Sequence, residues 1–217
     1  MRAAWYERLG SAAEVIGVGE QPTPSAGPGE VRVKLQASGV NPADVKRRSG
    51  LARYTSMDGP LVIPNSDGAG IVDQVGAGVG DHWLGQRVWL YNGQRGGRAL
   101  GTAAEYIALD AGLVTPLADD VSFSAGACLG IPGMTAHYGV FSDGPVRGKT
   151  VLVTGGAGAV GHYAIQLATW AGAKVIATVS GPEKAAEAEA AGAEATVNYR
   201  NQDVGKAVLD LTDGAGV

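Results

Sequence analysis

Cysteine is almost missing from this chain. Cys128 is the only one, which excludes an internal disulfide and fits a reducing compartment. Histidine is nearly as scarce: His82, His137 and His162 lie far apart, and His162 falls inside a glycine-rich stretch described below. Nothing has metal-ligand spacing, so neither a structural zinc nor a carbonyl-polarising one is expected. Cys128 lies in an apolar run, which reads as an inert core thiol rather than a nucleophile. Charge is also thin. Charged residues make up 18% and the net charge is −4, so there is no basic footprint for nucleic acid. A phosphate-rich ligand would have to be held by backbone amides and one or two cations. The opening MRAAWYERLG carries charges within its first eight residues and no apolar core of signal-peptide length. The uncharged run between Lys149 and Lys174 contains glycines, Thr, Gln and His, against a membrane span. Cytoplasm is the expected setting.

What the chain does have is glycine, 35 in 217 residues, far above the usual roughly 7%. Chance glycine motifs are therefore expected, and context has to decide. One stretch has that context: TVLVTGGAGAVGHYAIQLATWAGA, from Thr150 to Ala173. Val151, Leu152 and Val153 predict a strand buried on both faces of a parallel sheet. Gly156, Gly158 and Gly161 then fit G-x-G-x-x-G, and Gly155, Gly158 and Gly161 fit a looser form. Such glycines allow a tight turn, close backbone approach to a pyrophosphate, and close packing of helix on strand. Val160, Ala164, Leu167, Ala168 and Ala171 follow at near-helical spacing, so the helix N-terminus points at the phosphates. A second strand from Ala173 to Val179 completes a βαβ unit.

Residues 1 to about 120 read as β-rich. Glu30 to Ala37 alternates Val31, Val33, Leu35 and Ala37 with polar partners, and shorter strands are expected at Ala69 to Val75, Arg87 to Tyr91 and Ala103 to Leu109. This predicts a small barrel or sandwich. Asn41-Pro42 reads as a helix N-cap followed by proline at the first helical position. Ser122 to Phe141, broken by Pro132, reads as the crossing to a second domain. Beyond it the expected order is strand 150–154, helix 158–171, strand 173–179, helix 182–191, strand 195–199 and helix 203–212. That is half of a doubly wound sheet. The expected fold class is α/β, with domains at 1–122 and 123–217.

NAD-specific sites place a carboxylate near the end of the second strand, roughly 20 residues past the glycines. Here the residues are Val179-Ser180-Gly181, followed by Lys184 in the next helix. Lys184 could face a 2′-phosphate or simply pair with Glu187, and both readings stand. Tyr199 could close the same pocket or sit as a buried edge tyrosine.

The stretches SGVNPADVKRRSG (Ser38 to Gly50), IPNSDGAGIVDQVGAGV (Ile63 to Val79), CLGIPGMTAHYGV (Cys128 to Val140), VLVTGGAGAVGHYAIQLA (Val151 to Ala168) and VNYRNQD (Val197 to Asp203) together resemble a known family. The chain is similar to the zinc-free medium-chain dehydrogenase/reductases of the quinone oxidoreductase type, the group that includes zeta-crystallin. The resemblance implies a GroES-like barrel joined to a Rossmann domain, NADPH as hydride donor, and a quinone or activated alkene or enone as substrate. It implies that Ala157, Gly158, Ala159, Val160 and Gly161 contact the pyrophosphate, and that Ser180, Lys184 and Tyr199 meet the 2′-phosphate end. Thr135 and Asn41 would flank the nicotinamide and substrate, with Asn41 and Asp44 giving electrostatic help to catalysis. Asn41 as a plain helix cap stays open beside that role. Zinc-dependent relatives carry a cysteine near Gly39 to Asn41 and a His-Glu pair near Asp67-Gly68, neither of which occurs here.

Two departures stand out. Lys46 takes the place of a substrate-lining tyrosine, which leaves the quinone preference open between quinones and the enoyl-thioesters or alkenals of sister enzymes. The family also runs roughly a hundred residues further, so a fragment of a longer, homodimeric chain is expected, with a non-catalytic NADPH-binding protein as the rival outcome.

Overall fold

The computed structural model describes residues 1–51, 54–94 and 96–217, in two compact units, Met1–Ile131 and Pro132–Val217. The first unit opens with a hairpin that the residue pattern does not announce, β1 (Arg2–Trp5) and β2 (Gly17–Glu20), antiparallel, with the short helix α1 (Ala12–Val15) between them. There follow β3 (Glu30–Gly39), α2 (Pro42–Ser49), β4 (Asp67–Val75), β5 (Arg87–Leu90), β6 (Tyr106–Asp110) and β7 (Val114–Pro116). These strands form an antiparallel sheet in the order β6-β3-β4-β5-β7. The alternation read along β3 is the cause: Val31 and Val33 are fully buried, and they pack with Val72, Val88, Leu90, Ile107, Leu109 and Val114.

A second cluster within this unit joins Ala69, Leu117 and Ala127 with Phe123 and Leu129. It draws α3 (Phe123–Gly126) onto the sheet, and the Arg87 guanidinium, 4.3 Å above the Phe123 ring, holds it there. The changeover between units consequently falls at Ile131/Pro132, whereas composition places it at 122/123. Cys128, at the end of α3, is exposed, which corrects the core-thiol expectation. Its neighbour Ala127 takes the buried position instead. Pro132 does not break the chain but sits inside a π turn, Leu129–Gly133, that runs into α4 (Met134–Phe141). The wider turn accommodates the missing N–H.

The second unit alternates strictly: β8 (Thr150–Val153), α5 (Ala159–Trp170), β9 (Lys174–Val179), α6 (Pro182–Ala190), β10 (Ala195–Asn198) and α7 (Val204–Leu211). Each boundary lies within one residue of its expected place. The sheet is parallel, in the order β10-β9-β8. Successive residues of β9 point to opposite faces. Val175, Ala177 and Val179 pack with Ile165 and Ala168 of α5 and Ala188 of α6, while Ile176 packs with Val197 and with Val208 of α7. Helices therefore cover both faces, as a doubly wound unit requires.

The helix expected from the spacing of Val160, Ala164, Leu167, Ala168 and Ala171 forms, and its buried residues are Gly161, Ile165 and Ala168, while Val160 is 40% exposed. The expectation of a strand buried on both faces fails at β8, which is only partly buried except at Val153 and among the described residues pairs with β9 alone. Among the described residues no helix is long and apolar enough to cross a membrane.

Candidate active site

The turn between β8 and α5 is set by its glycines. Gly155 has φ 66°, a left-handed conformation that favours glycine, and a Cβ there would meet no protein atom within 4 Å. Its N–H donates to Thr178 Oγ1 at 3.0 Å, and the Gly156 N–H donates to the Thr178 carbonyl at 2.9 Å. Thr178 of β9 thus pins the turn, a role that a threonine inside an apolar strand did not announce. A Cβ on Gly161 would fall 2.2 Å from the Gly155 carbonyl oxygen, and one on Gly156 2.7 Å from Ala177 Cβ. Both are packing glycines. Gly158 is the N-cap of α5 and accepts the His162 N–H at 2.8 Å. The N–H groups of Ala159, Val160 and Gly161 precede that first bond, and the leading amides of a helix have no intrahelical partner. Amides so placed at a helix N-terminus suit an anion.

At the carboxyl ends of β9 and β10 the Tyr199 N–H donates to the carbonyl of Val179, the residue before Ser180, at 3.1 Å. Tyr199 is 52% exposed, so the buried-edge alternative does not hold. Gly181 leads into α6, whose first turn carries Lys184. Its ammonium lies 3.0 Å from the Glu187 carboxylate, with both side chains about half exposed. The pairing and a role toward a ligand are compatible, because an exposed pair of this kind is worth only about 0.2–0.5 kcal/mol. No carboxylate stands at Val179-Ser180-Gly181. Thr135 lies in the first turn of α4, exposed, in this same unit.

The first unit holds the polar cluster. Asn41 has extended φ and ψ of −116° and 156° and caps α2, with Pro42 in the first turn, as the residue types require. Asp44 closes a capping box: its Oδ2 accepts the Asn41 N–H at 2.8 Å. The Asn41 side-chain amide donates to Asp67 Oδ2 at 2.8 Å, and the Ile131 N–H donates to the same oxygen at 2.8 Å. Asn41, Asp44 and Asp67 are all buried. Burial pushes the Asp44 carboxyl above the usual carboxylate range, opposed by the Asn41 N–H, the charge of Arg47 and Ser66. Arg47, one turn on, is already engaged: it pairs with Asp58 at 3.0 Å, donates to Gln94 O and lies over the Tyr54 ring. Lys46 is exposed. Asp67 is the member that sequence reasoning passed over, having considered its position only for what a zinc site would need.

An antiparallel unit carrying this cluster, followed by a doubly wound unit with a glycine cradle, defines a medium-chain dehydrogenase/reductase. Comparison with known proteins agrees. Residues 27–119 match the alcohol dehydrogenase GroES-like domain, and residues 159–217 match a domain described as zinc-binding dehydrogenase. The quinone oxidoreductase of Pseudomonas aeruginosa is 37% identical over 189 residues, covering 87% of this chain and 56% of that one. The 2-haloacrylate reductase of a Burkholderia species is 35% identical over 201 residues, covering 89% of this chain and 57% of its own. Among solved structures, Escherichia coli quinone oxidoreductase complexed with NADPH superimposes with a TM-score of 0.83 at 29% identity, over 99% of this chain and 63% of that one. The chain belongs to the medium-chain dehydrogenase/reductases, and among them it is similar to the quinone oxidoreductases. It spans little more than half the length of the curated relatives cited. Despite the zinc in the name of the second matched domain, no group of three or more His, Cys, Asp or Glu among the described residues could hold a metal.

Proposed function

We propose that this chain carries the NADPH-binding and substrate-polarising parts of an oxidoreductase that reduces a quinone or an activated alkene. The observation that carries this reading is the glycine turn that opens α5, with its leading amides free of intrahelical bonds, beside a β9 end that offers Ser180, Lys184 and Tyr199 and no carboxylate. When bound, NADPH would supply the hydride. The Ala159, Val160 and Gly161 amides, together with the residues of the Ala157–Val160 turn, would bind its pyrophosphate. Lys184, Ser180 and Tyr199 would hold the 2′-phosphate, and Thr135 would border the nicotinamide end. Asn41 would donate an N–H to the acceptor oxygen, where negative charge builds as a quinone or enone is reduced. Asp44 holds the start of α2 in place and keeps a proton more readily than an exposed carboxyl. A reducing cytoplasm and a homodimeric whole protein belong to the same reading.

A second substrate class, small activated alkenes in place of quinones, is supported by the similarity to a 2-haloacrylate reductase and by Lys46 standing where a substrate-lining tyrosine is expected. Oxidation of NADPH and of NADH is to be followed against 1,4-benzoquinone, a neutral enone and 2-chloroacrylate. Strong preference for NADPH with turnover of one acceptor class supports the proposal and selects the class. NADPH binding without oxidation on any acceptor would replace it with a non-catalytic binding role.

A further inference from the structure

Asp67 begins β4 and is only 1% exposed. Its position is fixed from several directions. Oδ2 accepts the Asn41 Nδ2 and Ile131 N–H groups, each at 2.8 Å, and the Asp67 carbonyl accepts the Thr102 hydroxyl at 2.7 Å. Thr102 is itself held by Ser38 at 2.8 Å. On the far side, a Cβ at Gly130 would lie 2.2 Å from Oδ1, so residue 130 must be glycine for the carboxylate to sit where it does. Such a built-up cradle around one acidic side chain asks for a reason beyond sheet pairing.

Asn41 supplies it. A carboxamide can present either end, and burial alone does not choose between them. Asp67 Oδ2 already accepts the Ile131 main-chain N–H, so it meets Asn41 as an acceptor and takes the NH₂ end of the carboxamide. Asp44 holds the Asn41 main chain through its carboxylate, and in the same capping box its own N–H meets the oxygen end of the Asn41 side chain, the end turned away from Asp67. We propose that Asp67 is a positioning residue: it sets the orientation of the Asn41 carboxamide and polarises its N–H bonds, so that the second N–H is presented to the oxygen of a bound acceptor or cofactor. This rests on the role given to Asn41 above.

The test compares Asn41→Ala, Asp67→Ala, Asp67→Asn and the double variant Asn41→Ala/Asp67→Ala, with NADPH and 1,4-benzoquinone. A misplacement of this kind costs up to about 10²-fold in kcat, and Asp67→Ala is expected to lose on that order with the NADPH KM little changed. The double variant is expected to be no slower than Asn41→Ala alone, because the two residues act as one unit. Losses that multiply, or Asp67→Ala at the unmodified kcat, overturn the proposal. Asp67→Asn keeps an acceptor oxygen and the shape, so it carries the comparison if the alanine variant does not fold. It is expected to fall between Asp67→Ala and the unmodified chain.

A second readout does not depend on turnover. In ¹⁵N-edited NMR spectra, with the Asn41 side chain assigned by its loss in Asn41→Asp, one NH₂ proton is expected to exchange with solvent at least about tenfold more slowly than in Asp67→Ala or Asp67→Asn. Equal exchange overturns the positioning role. Slow exchange together with no NADPH oxidation on any acceptor would uphold the positioning and sink the proposed function instead.

Discussion

Asp44 shows how burial gives a single carboxyl a pH signature. Its folded value is raised above its unfolded value, first by desolvation, against the pull of the Asn41 N–H and Arg47. Between the two values the folded chain holds more protons than the unfolded one, so this contribution to stability is fully present below the unfolded value and is lost as pH rises through the folded value. Asp44→Asn cannot ionise. Its stability relative to the unmodified chain, from urea denaturation, is therefore expected to improve from about pH 4 to about pH 7, and a decline over that range would contradict the burial account. Gly161 offers a test without charge. Gly161→Ala places a Cβ 2.2 Å from the Gly155 carbonyl oxygen, and such overpacking costs about 1–3 kcal/mol. Gly158→Ala, whose nearest contact is the same oxygen at 3.2 Å, is expected to cost less in urea denaturation. Both should weaken NADPH binding by calorimetry, since both glycines line the cradle.

At the scale of elements, α6 separates two uses of one lysine. Its surface pair with Glu187 contributes at most about 0.5 kcal/mol, whereas a charged hydrogen bond to a 2′-phosphate is worth about 1.5–3 kcal/mol. Lys184→Ala is expected to leave the melting temperature nearly unchanged. It should raise the Kd for NADPH by about tenfold or more and leave that for NADH alone. Equal loss on both cofactors would return Lys184 to its surface pairing. The elements of the second unit were legible because strand, turn and helix signals coincide there: Val151 to Val153, the glycines, Pro182 at the start of α6 and Gly192 just beyond its end. β1 and β2 were not legible. Four residues each, with β2 reading Gly-Val-Gly-Glu, they have too short a pattern for alternation, and they owe their pairing to each other and to the bridge from Ala3 to Ala104.

At the scale of the whole chain there are two cores, one around Val33 and Leu90 and one around Ile165 and Ala177. Leu90→Ala and Ile165→Ala are each expected to cost about 2–5 kcal/mol. Only Ile165→Ala should also reduce NADPH affinity at a temperature where both variants remain folded, because Ile165 Cδ1 lies 3.0 Å from the position of a Cβ on Gly156, under the cradle. Equal loss of affinity in both would show that the two units do not behave separately. The sequence by itself determined the alternation of β3, the βαβ order after Thr150 and the glycine turn, because each depends on residue types a few positions apart. Tertiary structure alone decided the rest. It exposed Cys128 and buried Ala127, made Thr178 the pin of the glycine turn, and set Asp67 against Asn41 across 26 positions. Those facts come from which strands lie side by side, and no local pattern carries that information.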